Sequence, residues 1–163
     1  MAKNKEEKTN VMRVLEQKKI AYTAHTYPHE EGVAVDCVTV AKSMGFDPAI
    51  VFKTLVARGA SKQYYVFDVP VAENLDLKKA AKAVGEKSIE MIHQKELLPL
   101  TGYVHGGCSP VGMKKLFPTV FHSSAENLAA MIVSAGKIGY QVELAPHDLA
   151  ALVRAKFADI IVE

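Results

Sequence analysis

The amino-acid sequence predicts one α/β domain: a mixed, strongly curved β-sheet or barrel flanked by helices. Three observations lead there. Segments of helical period alternate along the chain with short Val-, Ile-, Tyr- and Phe-rich runs, the pattern of helices laid on a sheet. Residues 50–57 (Ile-Val-Phe-Lys-Thr-Leu-Val-Ala) are apolar on both faces, as in a central strand covered on two sides, except for Lys53. Residues 58–61 then make a turn into 63–69, so these two strands pair antiparallel and the sheet cannot be purely parallel.

From the N-terminus, residues 1–8 are polar and are expected to lie outside the folded domain, which spans 9–163. Residues 9–19 place Val11, Met12 and Leu15 at helical spacing behind a Thr9 or Asn10 cap. Residues 20–26 alternate as a half-buried strand that ends at Tyr27-Pro28. A second helix over 35–44 carries Val38, Ala41 and Met44 on one face and stops at Gly45, with Asp47-Pro48 beyond it. After the hairpin, 76–84 reads as a helix capped by Asp76, with Leu77, Ala80, Ala81 and Val84 inward and Gly85 as its stop. Residues 88–92 form a short strand and 94–98 a helical turn closed by Pro99. Beyond a glycine-rich loop, 119–121 reads as a strand, 124–130 as a capped helix and 131–134 as another strand. A second glycine turn over 135–139 returns through the alternating strand 140–144. A last helix with Pro146 at its first position turns Leu149, Leu152 and Val153 inward, and 157–162 adds a final strand.

At 163 residues the chain buries about two thirds of the surface its unfolded form exposes, enough for a core without staples. Its 49% hydrophobic and 23% charged residues argue against a disordered chain. The net charge is only +2, so a polyanionic partner has to be held by a local patch and not by the field of the whole molecule. The two cysteines, Cys37 and Cys108, form neither a C-x-x-C pair nor a disulfide framework. With no signal-peptide core and no apolar run near about 18 residues, the expected compartment is the reducing cytoplasm.

The stretch 101–115, Thr-Gly-Tyr-Val-His-Gly-Gly-Cys-Ser-Pro-Val-Gly-Met-Lys-Lys, is the expected floor of a binding site. Glycines at 106, 107 and 112 around Pro110 let bare backbone N–H groups come close to a ligand. A phosphate loop shares the spacing of Gly107 and Gly112, but Met113 stands where its lysine belongs and Pro110 removes a donor. A ligand-free surface turn is the remaining alternative. Lys53 is the sharpest single residue, because a cation inside an apolar strand costs several kcal/mol unless it is paired or opens onto a cleft. The competing reading is an edge lysine whose ammonium reaches water. His25 and His29 have a spacing that serves a metal on a helix, but Pro28 forbids the helix, so no metal is expected. Cys108 has no base supplied by any motif, and no Ser-His-Asp order, paired-carboxylate spacing or dinucleotide fingerprint is present. Lysines 78, 79, 82 and 87, with 114, 115 and 137, are able to hold phosphates or simply to solvate the surface.

Four motifs in order, Phe52-Lys53-Thr54-Leu55, Leu75 to Lys79, Thr101 to Gly112 and Ser134 to Gly139, closely resemble the YbaK family, the free-standing Cys-tRNA(Pro) deacylases of the bacterial prolyl-tRNA editing superfamily. The resemblance runs from about Val11 to Asp159. It implies a β-barrel-like fold with flanking helices, action in the cytoplasm beside prolyl-tRNA synthetase, and hydrolysis of cysteine wrongly esterified to proline tRNA, without metal or cofactor. The family lysine matches Lys53, which would fix the 3′-terminal part of the substrate. The Gly-x-x-x-Pro loop matches Gly106, Gly107, Cys108, Ser109 and Pro110, whose amides would hold the acyl ester. The family tyrosine matches Tyr27, and the serine before the second glycine turn matches Ser134, with Gly136 in that turn. Gln141 stands where relatives carry an aspartate, which puts that acid's role here in question. The implied mechanism uses the substrate's own thiolate, so Cys108 is expected to have no catalytic part. Two other readings stand beside it: an editing deacylase for Ala- or Ser-tRNA, and a non-catalytic module that binds a tRNA 3′ end.

Overall fold

The computed structural model describes residues 8–30 and 33–163; most of the segment expected to precede the domain, residues 1–7, lies outside them. Helix α1 (Asn10–Gln17) starts where the cap argument puts it, with Thr9 Oγ1 accepting the Met12 N–H at 3.3 Å, and it buries Val11, Met12 and Leu15. It stops at Lys19, which takes a positive φ of 60°. Strand β1 is shorter than its alternation suggests, Thr23–Thr26, its pairing beginning at Thr23 opposite Glu143. Residues Ile20 and Tyr22 instead pack beside α1 on the core.

Helix α2 (Cys37–Ser43) is capped by Asp36, and strands β2 (Phe52–Gly59) and β3 (Tyr64–Pro70) form the expected antiparallel hairpin. Its register sets Lys53 opposite Val69 and Thr54 opposite Asp68. Helix α3 (Leu77–Val84) lies between an Asp76 cap and a left-handed Gly85, φ 74°, as read from the sequence. Then come β4 (Ile89–Met91), α4 (Gln94–Thr101), β5 (Thr119–His122), β6 (Met131–Ser134), β7 (Tyr140–Leu144), α5 (Pro146–Val153) and β8 (Lys156–Ala158).

The strands form two sheets, β1-β7-β6 and β4-β2-β3-β5-β8; the second is mixed because β5 pairs parallel with both β3 and β8. The expected barrel does not form. One rung, Val51 against Ile132, joins β2 to β6, with the Ile132 N–H donating to Ile50 O at 2.9 Å. The ladder goes no further back because residues 47–50 are folded into a turn, where the Ile50 N–H bonds Asp47 O. Ala41 of α2 covers this seam together with Val51, Val71 and Ile132.

Two local differences have plain causes. Helix α4 runs past Pro99 to Thr101 and ends when Gly102, at φ 89°, returns its N–H to Leu98 O at 2.8 Å. The expected helix at 124–130 is a 3-10 turn, Ser123–Asn127, since Leu128 is already extended toward β6. The larger core packs α1 and α5 on the small sheet through Leu15, Phe121, Met131, Val142 and Leu149, and a second packs α3 on the large sheet through Phe67, Val69, Ala80 and Ala81. The Asp76 cap accepts both the Lys78 and Lys79 N–H groups, at 2.9 and 3.1 Å. Asp76→Ala is expected to cost about 1 kcal/mol, read as a lower denaturant midpoint with an unchanged slope.

Candidate functional site

A cavity of about 410 Å³ opens where the start of β2, the ends of β6 and β7, the first turn of α2 and the glycine loop converge. Of the residues singled out from sequence, Tyr27, Lys53, Gly106, Ser134 and Gln141 line it, and Gly107, Ser109, Pro110 and Gly136 do not. The glycines there are matters of clearance. Gly106 has φ +90° and a Cβ on it would lie 2.8 Å from Ala34 Cβ; one on Gly107 would lie 3.1 Å from the Ile138 nitrogen. The two glycine turns therefore seat on each other. Ser134 Oγ ties the second of them by accepting the Gly136 N–H at 3.1 Å. Ser109 is fully buried and accepts the Val111 N–H at 3.2 Å, while the Tyr103 hydroxyl donates to Val111 O.

Gly107 spends its N–H inside the loop, on Val104 O at 2.9 Å. The amides of Gly106 and Cys108, both at the cavity wall, donate to no acceptor among the described residues. Lys53 is half-buried and its ammonium has no hydrogen bond or ion pair among the described residues, so of the two readings of this lysine the cleft-lining one applies. Its field reaches Asp36 and Cys37. The Asp36 carboxyl sits below its ordinary range, first because the Thr39 N–H and hydroxyl donate to it and in a smaller part because of Lys53. Burial pushes the Cys37 thiol up, opposed by Lys53, and burial raises Tyr27, opposed by a hydrogen bond with the Gly139 backbone. Gln141 is 7% exposed and its Oε1 is unpartnered.

Cys108 belongs to a packed cluster with Val56, Val66 and Phe117, and burial pushes its thiol up to about 12. That is the state of an inert wall residue. Beside it, in the middle of β3, lies a group that reading for periodicity missed: Asp68, 0% exposed. Its Oδ1 accepts the Thr54 hydroxyl at 2.5 Å, its Oδ2 has no partner, and burial raises its carboxyl to about 7. The sequence signal was available, because an acid inside Tyr-Tyr-Val-Phe-Asp-Val-Pro raises the same question as a lysine inside β2. The histidines have ordinary partners: His25 meets Glu143 at 2.8 Å, and His29 Nδ1 lies 2.9 Å from Tyr27 O. No group of three metal-binding side chains occurs among the described residues, and no helix there is long and apolar enough to cross a membrane. Lys79 is committed to Asp159, Glu163 and the Ile161 carbonyl.

The sequence profile of the aminoacyl-tRNA editing domain matches residues 31–152. The chain belongs to this family. It is 46% identical over 161 residues, 98% of each chain, to an Enterococcus faecalis protein named "Putative Cys-tRNA(Pro)/Cys-tRNA(Cys) deacylase EbsC". Among solved structures, one described as "a putative trans-editing enzyme for prolyl tRNA synthetase" superposes with a TM-score of 0.79 at 24% identity, covering 94% of this chain and 95% of its own. Another, described as a hypothetical protein, reaches 0.82 at 18% identity over 93% and 99%. At these identities the superpositions establish the editing-domain fold, and the family itself rests on the profile and the full-length relative.

Two measurements check the electrostatics. With Cys108 sealed in its cluster and Cys37 half-buried at the cavity, iodoacetamide at about pH 8 is expected to label Cys37 first, read by peptide mass spectrometry. Asp68 keeps its proton in the folded state to about pH 7, whereas the unfolded chain releases it near pH 3.9. The fold is favoured most where both states are protonated; as pH rises the unfolded state ionises first, while the folded state still holds its proton. Stability is therefore expected to fall between about pH 4 and 7, by up to about 4 kcal/mol, and to be flat beyond. Asp68→Asn removes that fall, as urea titrations across the range would show.

Proposed function

We propose that this protein is a free-standing editing enzyme that hydrolyses the ester of cysteine wrongly attached to proline tRNA, with Cys-tRNA(Cys) as a second substrate. In this reading it works in the cytoplasm beside prolyl-tRNA synthetase and requires neither metal nor cofactor. The observation that carries the proposal is a cavity of aminoacyl-group size that holds an unpaired ammonium, Lys53, and an unpaired amide oxygen, Gln141, but no activated nucleophile. Both cysteines at its wall have thiols raised by burial. The nucleophile then has to arrive with the substrate.

A cysteinyl ester supplies one. Its thiolate attacks its own carbonyl carbon, the ester C–O bond breaks, the tRNA leaves and a cyclic thioester remains. The protein's part is position and charge. The Lys53 ammonium attracts the 3′-terminal ribose and phosphate. The N–H groups of Gly106 and Cys108 point donors toward the carbonyl oxygen, where charge develops. Gln141 Oε1 is an acceptor for the α-ammonium, the strongest donor of an aminoacyl group. Being neutral, Gln141 orients that ammonium without cancelling its charge, a role that a carboxylate at this position would perform differently. Tyr27 and Ser134 complete the wall.

The deciding experiment is a deacylation panel of Cys-, Ala-, Ser- and Pro-tRNA(Pro) and Cys-tRNA(Cys), with and without prolyl-tRNA synthetase. Rapid release of cysteine alone supports the reading; release of alanine or serine assigns a different acyl group, and binding without turnover leaves only a 3′-end module. Lys53→Ala is expected to abolish cysteine release, and Cys108→Ala to retain it. A dead Cys108→Ala enzyme with intact folding would remove the substrate-assisted route.

A further inference from the structure

Asp68 is not explained by the cavity's binding functions. It is a fully buried carboxyl on a strand buried from Tyr65 to Pro70, and an unpaired acid there costs several kcal/mol. Its surroundings show what it touches. Thr54, opposite it on β2, donates a hydroxyl proton to Oδ1 at 2.5 Å and itself lines the cavity. Cys108 faces it from the glycine loop, and Phe121 stands beside it on β5. Among the described residues no cation or second carboxyl pairs with it, and its Oδ2 is unpartnered. The one hydrogen bond of the side chain therefore runs to a residue of the cavity wall, Thr54.

From this arrangement we infer that Asp68 acts on the substrate through Thr54, fixing its hydroxyl so that the threonine oxygen receives the proton of the substrate's thiol. The inference rests on the proposed substrate-assisted reaction, which requires a thiolate but leaves the destination of its proton open. With the hydroxyl hydrogen directed at Asp68, the lone pairs of Oγ1 are left for the cavity. The substrate's S–H bond breaks and its electron pair stays on sulfur. That proton joins Thr54 Oγ1 as the original hydroxyl proton moves to Asp68 Oδ1, so one proton has travelled from thiol to carboxylate. The thiolate forms the C–S bond, the ester C–O bond breaks, and the departing ribose oxygen recovers the proton from Asp68 by the reverse path. No oxidant or co-reactant is needed. An acid raised by burial to about 7 is half ionised at neutral pH, which suits it to take up a proton and return it. Asp68 is a positioning residue in this scheme; Thr54 is the group that meets the substrate.

The test is the pH dependence of cysteine release from Cys-tRNA(Pro) at saturating enzyme across about pH 5.5 to 9. The wild type is expected to show a rising limb that levels near neutrality. Asp68→Asn is expected to lower the single-turnover rate about 100-fold or more with little change in binding, and to leave a profile that follows only the free thiol, near about pH 8.5. Thr54→Val should lose rate to the same degree, and Thr54→Ser, which restores the hydroxyl, should recover most of it. An Asp68→Asn enzyme with the wild-type rate and limb overturns the inference, as does a Thr54→Val enzyme that keeps its rate. If circular dichroism shows Asp68→Asn unfolded, the Val and Ser variants at 54 decide alone. A wild type that releases no cysteine fails the proposed function instead, an outcome visible before any variant is made.

Discussion

A Cβ on Gly106 would stand 2.8 Å from Ala34 and one on Gly107 3.1 Å from the Ile138 nitrogen, so residues 106–107 and 137–138 meet with no room for a side chain between them. Gly136, at φ +92°, is held as closely on the far side, where an added Cβ would lie 2.9 Å from the Tyr103 ring. This contact of two turns brings a loop that follows α4 against the β6–β7 connection. It thereby places the Gly106 and Cys108 amides across from Lys53 on β2 and Gln141 on β7. Loosen it, and the cavity loses one wall while both sheets remain.

Two polar groups at or beside the cavity share a property that a surface would not tolerate for free: they are buried and keep an acceptor oxygen without a protein partner. Gln141 Oε1 and Asp68 Oδ2 are the unpartnered buried side-chain atoms among the described residues. A buried acceptor left without a donor costs roughly 1–3 kcal/mol, and both lie at the cavity or one residue from it. Elsewhere the fold satisfies its polar groups, as with the Asp76 cap or the Lys79 ion pairs. The cost is concentrated at and beside the cavity, which is how this region differs from ordinary core.

Much of the fold was legible before the structure. The β2–β3 hairpin follows from two apolar runs around a turn, and α3 from an Asp cap and a terminal glycine, all local signals, although of the face read as inward Ala80 and Ala81 are buried while Leu77 is 40% exposed. Lys53 was legible too, since a cation breaks the pattern of its strand wherever that strand ends up. Asp68 carries the same signal, an acid inside a Tyr-, Val- and Phe-rich strand, but its full burial and its Thr54 partner depend on the register across the hairpin. The barrel was not legible: whether β2 and β6 close a ladder depends in part on the turn at 47–50, which keeps their one rung from extending further back.

The sequence by itself determined the element types, the hairpin, the two glycine turns and the presence of a lysine that needed a cleft, because caps, periodicity and positive-φ glycines act over a few residues. Only the tertiary structure decided which glycine lines the cavity and which close approaches the others make. It also decided that Cys108 is a packed wall residue, and that Thr54 and Asp68, 14 residues apart, are joined by a hydrogen bond of 2.5 Å. Those outcomes depend on burial and on register across the hairpin and between sheets, long-range quantities that no local pattern encodes.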